Sequence, residues 1–268
     1  MYEYELMDLD LIKRIGVGAA YKGAEVIRTC FGKISQINKK GAIDLVTEAD
    51  VGSEGEIIRA IRDRFPDHSI LAEESGLNQG SSDGQWIIDP LDGTTNFAHR
   101  VPIFAVSIAF SLKGTIVVGI VLNPMTGELF TATAGQGATL NDKPIAVSNT
   151  APLSESLLVT GFPYDFQENL RPLLDRFSAC LCAAQGVRRL GSAALDLCFV
   201  ACGRLEGYWE QNLHPWDTAA GMLIVKEAGG VVTDFGNTPF GIDQKEILAT
   251  NGKIHKELLG ILELRKNP

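Results

Sequence analysis

Acidic residues stand where short apolar runs stop. Ser69-Ile70-Leu71-Ala72 gives way to Glu73-Glu74, and Trp86-Ile87-Ile88 gives way to Asp89-Pro90-Leu91-Asp92-Gly93-Thr94-Thr95. Far downstream, Asp217 opens the segment Trp216-Asp217-Thr218-Ala219-Ala220-Gly221. The end of a strand followed by a turn is where layered α/β proteins place ligands. Pro90 fixes its own φ and biases Asp89 toward extended backbone, so the carboxylates of Asp89 and Asp92 can converge on one point. Carboxylates held that close repel one another unless a cation neutralises them. Oxygen ligands without paired His or Cys suit Mg²⁺ or Mn²⁺ rather than Zn²⁺. Singly, each feature has a plainer reading: a solvated turn, a surface pair at Glu73-Glu74, a helix N-cap at Asp217. Their joint order and spacing shift the weighing toward a metal site.

The elements that must position these acids are legible in outline. About the first 30 residues carry a helical stripe of Leu6, Leu9, Ile12, Ile15, Ala19 and Ala20, continued by Val26. Phe31–Gly41 reads as a loop, and a second helix is expected over Glu48–Phe65, stopped by Pro66-Asp67-His68. Ile103–Leu112, Ile116–Leu122 and Glu128–Thr133 read as a strand meander, with a further hairpin around Asn141-Asp142. From Leu157 the pattern alternates: strands at Leu157–Thr160, Val187–Arg189 and Arg204–Glu210, and helices near Asn169–Ala184, Ser192–Cys202, Trp216–Ala228 and Ile254–Leu264. The 268 residues suit one large domain, residues 1–268, with two intimately packed halves of about 1–150 and 151–268.

With 45% hydrophobic and 21% charged residues, the chain is neither disordered, collagenous nor a coiled coil. A formal net charge of −9 argues against general binding to nucleic acid or an anionic membrane, though not against phosphate esters if cations supply the positive charge. No apolar stretch approaches the ~20 residues of a membrane span. The start Met1-Tyr2-Glu3-Tyr4-Glu5 is acidic, unlike a signal peptide, and the five cysteines read as free thiols. The expected location is therefore cytoplasmic.

These segments together resemble the inositol monophosphatase family of Mg²⁺-dependent, lithium-sensitive phosphatases. The likeness rests on Trp86-Ile87-Ile88-Asp89-Pro90-Leu91-Asp92-Gly93-Thr94-Thr95-Asn96-Phe97 and on Trp216-Asp217-Thr218-Ala219-Ala220-Gly221, followed by Glu227-Ala228-Gly229-Gly230. Asp44-Leu45-Val46-Thr47-Glu48-Ala49-Asp50, Ala72-Glu73-Glu74-Ser75-Gly76 and Gly191-Ser192-Ala193-Ala194 support it. It runs from about Leu9 to Leu262, in order throughout. The resemblance implies an α+β fold, the layered α-β-α-β-α sandwich of the sugar and inositol phosphatases, usually dimeric.

By the same resemblance, one metal is held by Glu73, Asp89 and the Leu91 carbonyl, and a second by Asp89, Asp92 and Asp217. A third, weaker ion leans on Glu73. Metals about 4 Å apart clamp the attacking and leaving oxygens of an in-line phosphoryl transfer, and a coordinated water becomes a nucleophile near neutral pH. Glu73 and Thr94 orient that water, with Asp50 behind the Thr94 hydroxyl as proton acceptor. The N–H groups of Gly93, Thr94 and Thr95 suit a phosphate cradle if a helix starts there. Glu210 matches the position that contacts inositol hydroxyls, and Ser192 and Ala193 the other wall of that pocket. Gly161-Phe162-Pro163-Tyr164-Asp165 reads either as a substrate rim or as a packed turn. Lys39 matches a loop lysine near the site, or is a solvated charge. Arg188 and Arg189 fall near the dimer contact of similar bacterial proteins, or form a buried ion pair. His99 and His214 match no metal ligand.

The function expected is a phosphoric monoester hydrolase that splits myo-inositol monophosphate, with Mg²⁺ as cofactor, Mn²⁺ as a substitute and Li⁺ as an inhibitor. The expected partners are a small phosphorylated polyol or sugar and a second copy of the chain, without membrane or direct nucleic-acid contact. Alternatives are the same chemistry on fructose 1,6-bisphosphate, histidinol phosphate, NADP or 3′-phosphonucleotides, and, in a different class, an added role in binding the transcription machinery.

Overall fold

The structure, a computed structural model, describes residues 8–33, 37–39, 45–163 and 170–263. In chain order the helices are α1 Leu9–Cys30, α2 Glu48–Arg62, α3 Thr94–Ala98, α4 Leu170–Ala183, α5 Ala193–Ala201, α6 Pro215–Glu227 and α7 His255–Leu262. The first strands are β1 Ile37–Lys39, β2 Leu45–Thr47, β3 Ser69–Ala72, β4 Gly76–Asn78, β5 Gly84–Asp92, β6 Ala105–Leu112, β7 Thr115–Leu122 and β8 Leu129–Thr133. The remainder are β9 Ala138–Leu140, β10 Lys143–Ile145, β11 Leu157–Thr160, β12 Gly186–Arg188, β13 Gly207–Gln211, β14 Val231–Thr233 and β15 Glu246–Thr250.

An eight-stranded sheet runs β10-β9-β8-β7-β6-β5-β3-β4, and a five-stranded sheet runs β12-β11-β13-β15-β14. Three apolar clusters fill the gaps between layers. One joins α1 and α2 to the large sheet through Ile12, Ala20, Ile57, Ile61, Trp86 and Phe110. The second lies between the sheets, around α5 and α6. The third joins α4 and α7 to the small sheet through Cys180, Trp209, Leu248 and Leu258. Complete burial of a side chain such as Ile57 or Phe110 is worth about 1.5–3 kcal/mol, and these clusters fix the order helix, sheet, helix, sheet, helix. The layered sandwich expected from the resemblance is the fold observed.

Strand register sets the site. β3 and β5 are parallel, with Ala72 opposite Ile88, so the acids that follow each strand emerge side by side. The Glu73 N–H donates to the Ile88 carbonyl at 3.1 Å. β5 then breaks its ladder with β6: Asp89 pairs with Ser107 but Asp92 with Ala105, so β5 carries one extra residue. Pro90 lies within this bulge, where a missing N–H costs no ladder bond.

The differences from the sequence reading are local. Ile37–Lys39, expected as loop, pairs antiparallel with Leu45–Thr47. α2 stops at Arg62 rather than Phe65, because Pro66 disfavours helical backbone in the residue before it. β4 was not foreseen: Gly76-Leu77-Asn78 has no apolar alternation. The Asn141-Asp142 hairpin is present, both residues having positive φ (49° and 61°) as a tight hairpin turn requires. All five cysteines are free, with Cys198 on α5 and Cys202 just past its end.

Candidate active site

Most of the residues singled out above meet in one pocket of about 280 Å³. The end of β3 supplies Glu73, β5 supplies Asp89, Leu91 and Asp92, and the β5–α3 corner supplies Gly93, Thr94 and Thr95. Ser192, Ala193, Glu210 and Asp217 complete the wall from the second half of the chain.

Each carboxylate is held by backbone or a neighbour. Asp89, 2% exposed, accepts from the Leu91 N–H at 2.9 Å through Oδ1. Asp92 accepts from the Ser192 hydroxyl at 2.6 Å and the Ala194 N–H at 2.7 Å, so the start of α5 is docked onto the end of β5. Asp217, in the first turn of α6 after Pro215, accepts from the His214 N–H at 2.7 Å. This is the N-terminal capping geometry that an acid at this position favours.

The acids also feel one another. Burial pushes the Asp89 carboxyl well up, and the charges of Glu73, Asp92 and Asp217 push it further. Burial likewise raises Asp217, with Asp92 adding to the shift and the His214 N–H opposing it. Asp92 rises to about 6, burial outweighing its bonds to Ser192, Ala194 and Ala193. Among the described residues, Asp89, Asp92 and Asp217 have no ion-pair partner. Nor do three or more Asp, Glu, His or Cys side chains among them close into a ready-made metal cage. The remaining oxygens of Asp89 and Asp217 have no described hydrogen bond. Several acids on one pocket, short of positive charge and all oxygen, form a donor set that suits a hard divalent cation.

Asp50 does not line the pocket; it is fully buried behind it. Oδ1 receives the Thr94 hydroxyl at 2.9 Å, and Oδ2 receives the N–H and hydroxyl of Thr47, which caps α2. The Thr94 hydroxyl is also 3.1 Å from the Leu91 carbonyl, but it has one proton to give and the carboxylate is the stronger acceptor. Burial raises the Asp50 carboxyl, with the bonds from Thr47 and Thr94 opposing it.

Gly93 makes the corner between β5 and α3. Its φ is +102°, and a Cβ there would sit 3.0 Å from the carbonyls of Gly191 and Ile103. Gly93→Ala is expected to cost about 1–3 kcal/mol through the left-handed backbone and the contact. A melting temperature equal to the wild type's would show that this corner is not strained. The first-turn N–H groups of α3, those of Thr94 and Thr95, have no acceptor within the helix.

Glu210 closes the far end. Its carboxylate is buried, accepts from the Tyr208 hydroxyl at 2.7 Å and rises to about 7, burial exceeding that bond. It lies so close to Gly161 that a Cβ there would be 2.1 Å from either oxygen. Gly161, Phe162 and Pro163 line the pocket, which favours the rim over the packed turn, while Tyr164 and Asp165 lie outside the described residues. Arg189 is exposed at the pocket and Arg188 is exposed, so neither forms the buried ion pair considered above. His214 lines the pocket, stacked on Trp216, whereas His99 is exposed and outside it. The Lys39 side chain, with Lys40 and Gly41, lies outside the described residues. Sequence reasoning missed Asp196, a carboxyl on the pocket wall; its only signal is an acid inside the apolar run Ala193-Ala194-Leu195-Asp196-Leu197-Cys198.

The profile of the inositol monophosphatase family matches residues 8–266. A Synechocystis sp. protein named inositol-1-monophosphatase is 54% identical over 238 residues, covering 88% of this chain and 83% of its own. The protein named Nus factor SuhB from Pseudomonas aeruginosa is 43% identical over 256 residues, covering 93% and 94%. The solved inositol monophosphatase of Anabaena (Nostoc) sp. superposes with a TM-score of 0.87 at 46% identity, covering 96% of this chain and 97% of that one. The chain belongs to the inositol monophosphatase family and is a phosphatase of that kind.

Proposed function

We propose that the protein is a Mg²⁺-dependent phosphomonoesterase acting on myo-inositol monophosphate, releasing myo-inositol and phosphate. The observation that carries this reading is the meeting of Glu73, Asp89, Asp92 and Asp217 on one pocket, backed by the Thr94–Asp50 pair. In this reading Glu73, Asp89, Asp92, Asp217 and the Leu91 carbonyl hold the cations, which when bound lower the pKa of water and neutralise phosphate charge. Glu73 and Thr94 orient the attacking water. The Thr94 hydroxyl takes its proton as it passes its own to Asp50 Oδ1, the acceptor it already contacts. The N–H groups of Gly93, Thr94 and Thr95 take the phosphate oxygens, and Ser192, Ala193 and Glu210 face the alcohol. Mn²⁺ substitutes and Li⁺ inhibits. A homodimer in the cytoplasm completes the reading.

Glu210 is the group for the alcohol because its carboxylate is fixed by Tyr208 and suits neighbouring hydroxyls. Glu210→Gln is expected to raise KM for inositol 1-phosphate by about 10–100-fold, the equivalent of roughly 1.5–3 kcal/mol of charge-assisted bonding. p-Nitrophenyl phosphate, without ring hydroxyls, should change far less. Gly161→Ala, which displaces the Glu210 carboxylate, should act in the same direction. Equal damage to both substrates would place Glu210 in support of the metal site. No damage to either would move sugar or nucleotide phosphates ahead, and a kcat/KM panel over inositol, sugar and nucleotide phosphates decides among them.

A second reading comes from the relative named Nus factor SuhB: an additional contact with the transcription machinery. Co-purification of the protein with RNA polymerase tests it.

A further inference from the structure

Asp196 is the only charged residue of α5, whose other members are Ala, Leu, Cys, Phe and Val. It is 1% exposed, and its Oδ1 has no hydrogen-bond partner among the described residues. A leucine there would pack the inter-sheet core without stranding a polar atom, so the carboxyl calls for a ligand. Its place supplies one: Asp196 lines the same pocket as Glu210. Glu210 is itself immobilised between the Tyr208 hydroxyl and Gly161, and no hydrogen bond joins it to Asp196. Asp196 borders the pocket, and its unpartnered Oδ1 is itself buried.

We infer that Asp196 is a second specificity-determining residue for the leaving alcohol, its carboxyl accepting a hydrogen bond from a hydroxyl of a polyol phosphate. The inference rests on the phosphomonoesterase reading and deepens it: two fixed carboxyl groups, Glu210 and Asp196, select an alcohol bearing several hydroxyls. Burial and the charges of Glu210 and Asp92 favour the protonated acid at Asp196, against Arg189. A protonated acid still accepts through its carbonyl oxygen, and an asparagine amide reproduces that oxygen.

The test compares Asp196→Leu, Asp196→Asn and wild type on inositol 1-phosphate and p-nitrophenyl phosphate at saturating Mg²⁺. Asp196→Leu is expected to raise KM for the polyol ester roughly tenfold or more, the loss of about one hydrogen bond. KM for the aryl ester should move less than about threefold, and Asp196→Asn should stay within about threefold of wild type on both. If the leucine variant does not fold, Asp196→Ala replaces it in the same comparison. Equal losses on both esters, no loss on either, or an asparagine variant as impaired as the leucine one would each overturn the inference while leaving the phosphatase reading standing. A wild-type protein that releases phosphate from neither ester overturns both.

Discussion

Asp89→Asn is expected to lower phosphomonoester turnover by more than about 100-fold while leaving the fold intact. The size follows from its place. Asp89 is assigned to both cation positions, so its loss should exceed the roughly 10–100-fold cost of altering groups that only support a ligand. The structural side of the expectation is independent. Asparagine keeps an oxygen for the Leu91 N–H and removes one charge from a buried cluster that Glu73, Asp92 and Asp217 already crowd. The metal-free melting temperature should therefore hold or rise. Asp217→Asn should behave alike, since the amide oxygen can still accept from His214. Near-normal turnover of Asp89→Asn in Mg²⁺ would remove the basis for placing a cation there.

The second large effect is at the proton relay. Thr94→Ala is expected to lower kcat by roughly 10²–10⁴-fold, the usual scale of acid–base contributions. Asp50→Asn should fall in the same direction, and the double variant should lose much less than the product of the two, because both groups serve one proton. Asp50 also holds the Thr47 N–H and hydroxyl at the start of α2, so its substitution carries a capping cost of about 0.5–2 kcal/mol. The melting temperature reads that cost, and the kinetic cycle reads the relay. Fully additive kinetic losses would mean that Asp50 serves α2 alone.

Much of the site was legible because its parts are local. An apolar run that stops at Glu73, another that stops at Asp89-Pro90, and a proline-opened helix carrying Asp217 each announce themselves within a few residues. The long-range facts are not written that way. Nothing near Ala72 says that it pairs with Ile88, the register that sets Glu73 beside Asp89. The extra residue between Asp89 and Asp92 becomes a bulge only against β6. Nothing near Asp50 points to Thr94, 44 residues away, and that contact entered only through the family resemblance. Asp196 reads as a first-turn acid favoured by the helix dipole. Its burial depends on the second sheet closing over α5, which no window of sequence contains. β1, β2 and β4 were not read as strands, since three residues offer few positions to show a period.

Cations held by the pocket acids drive phosphate release in this reading. The most direct test strips the wild-type protein with a chelator and measures phosphate release from inositol 1-phosphate as Mg²⁺ is returned. The stripped protein is expected to show no turnover, Mg²⁺ to restore it saturably, and Asp89→Asn to show no recovery under the same titration. Turnover that persists undiminished in the chelator would contradict it.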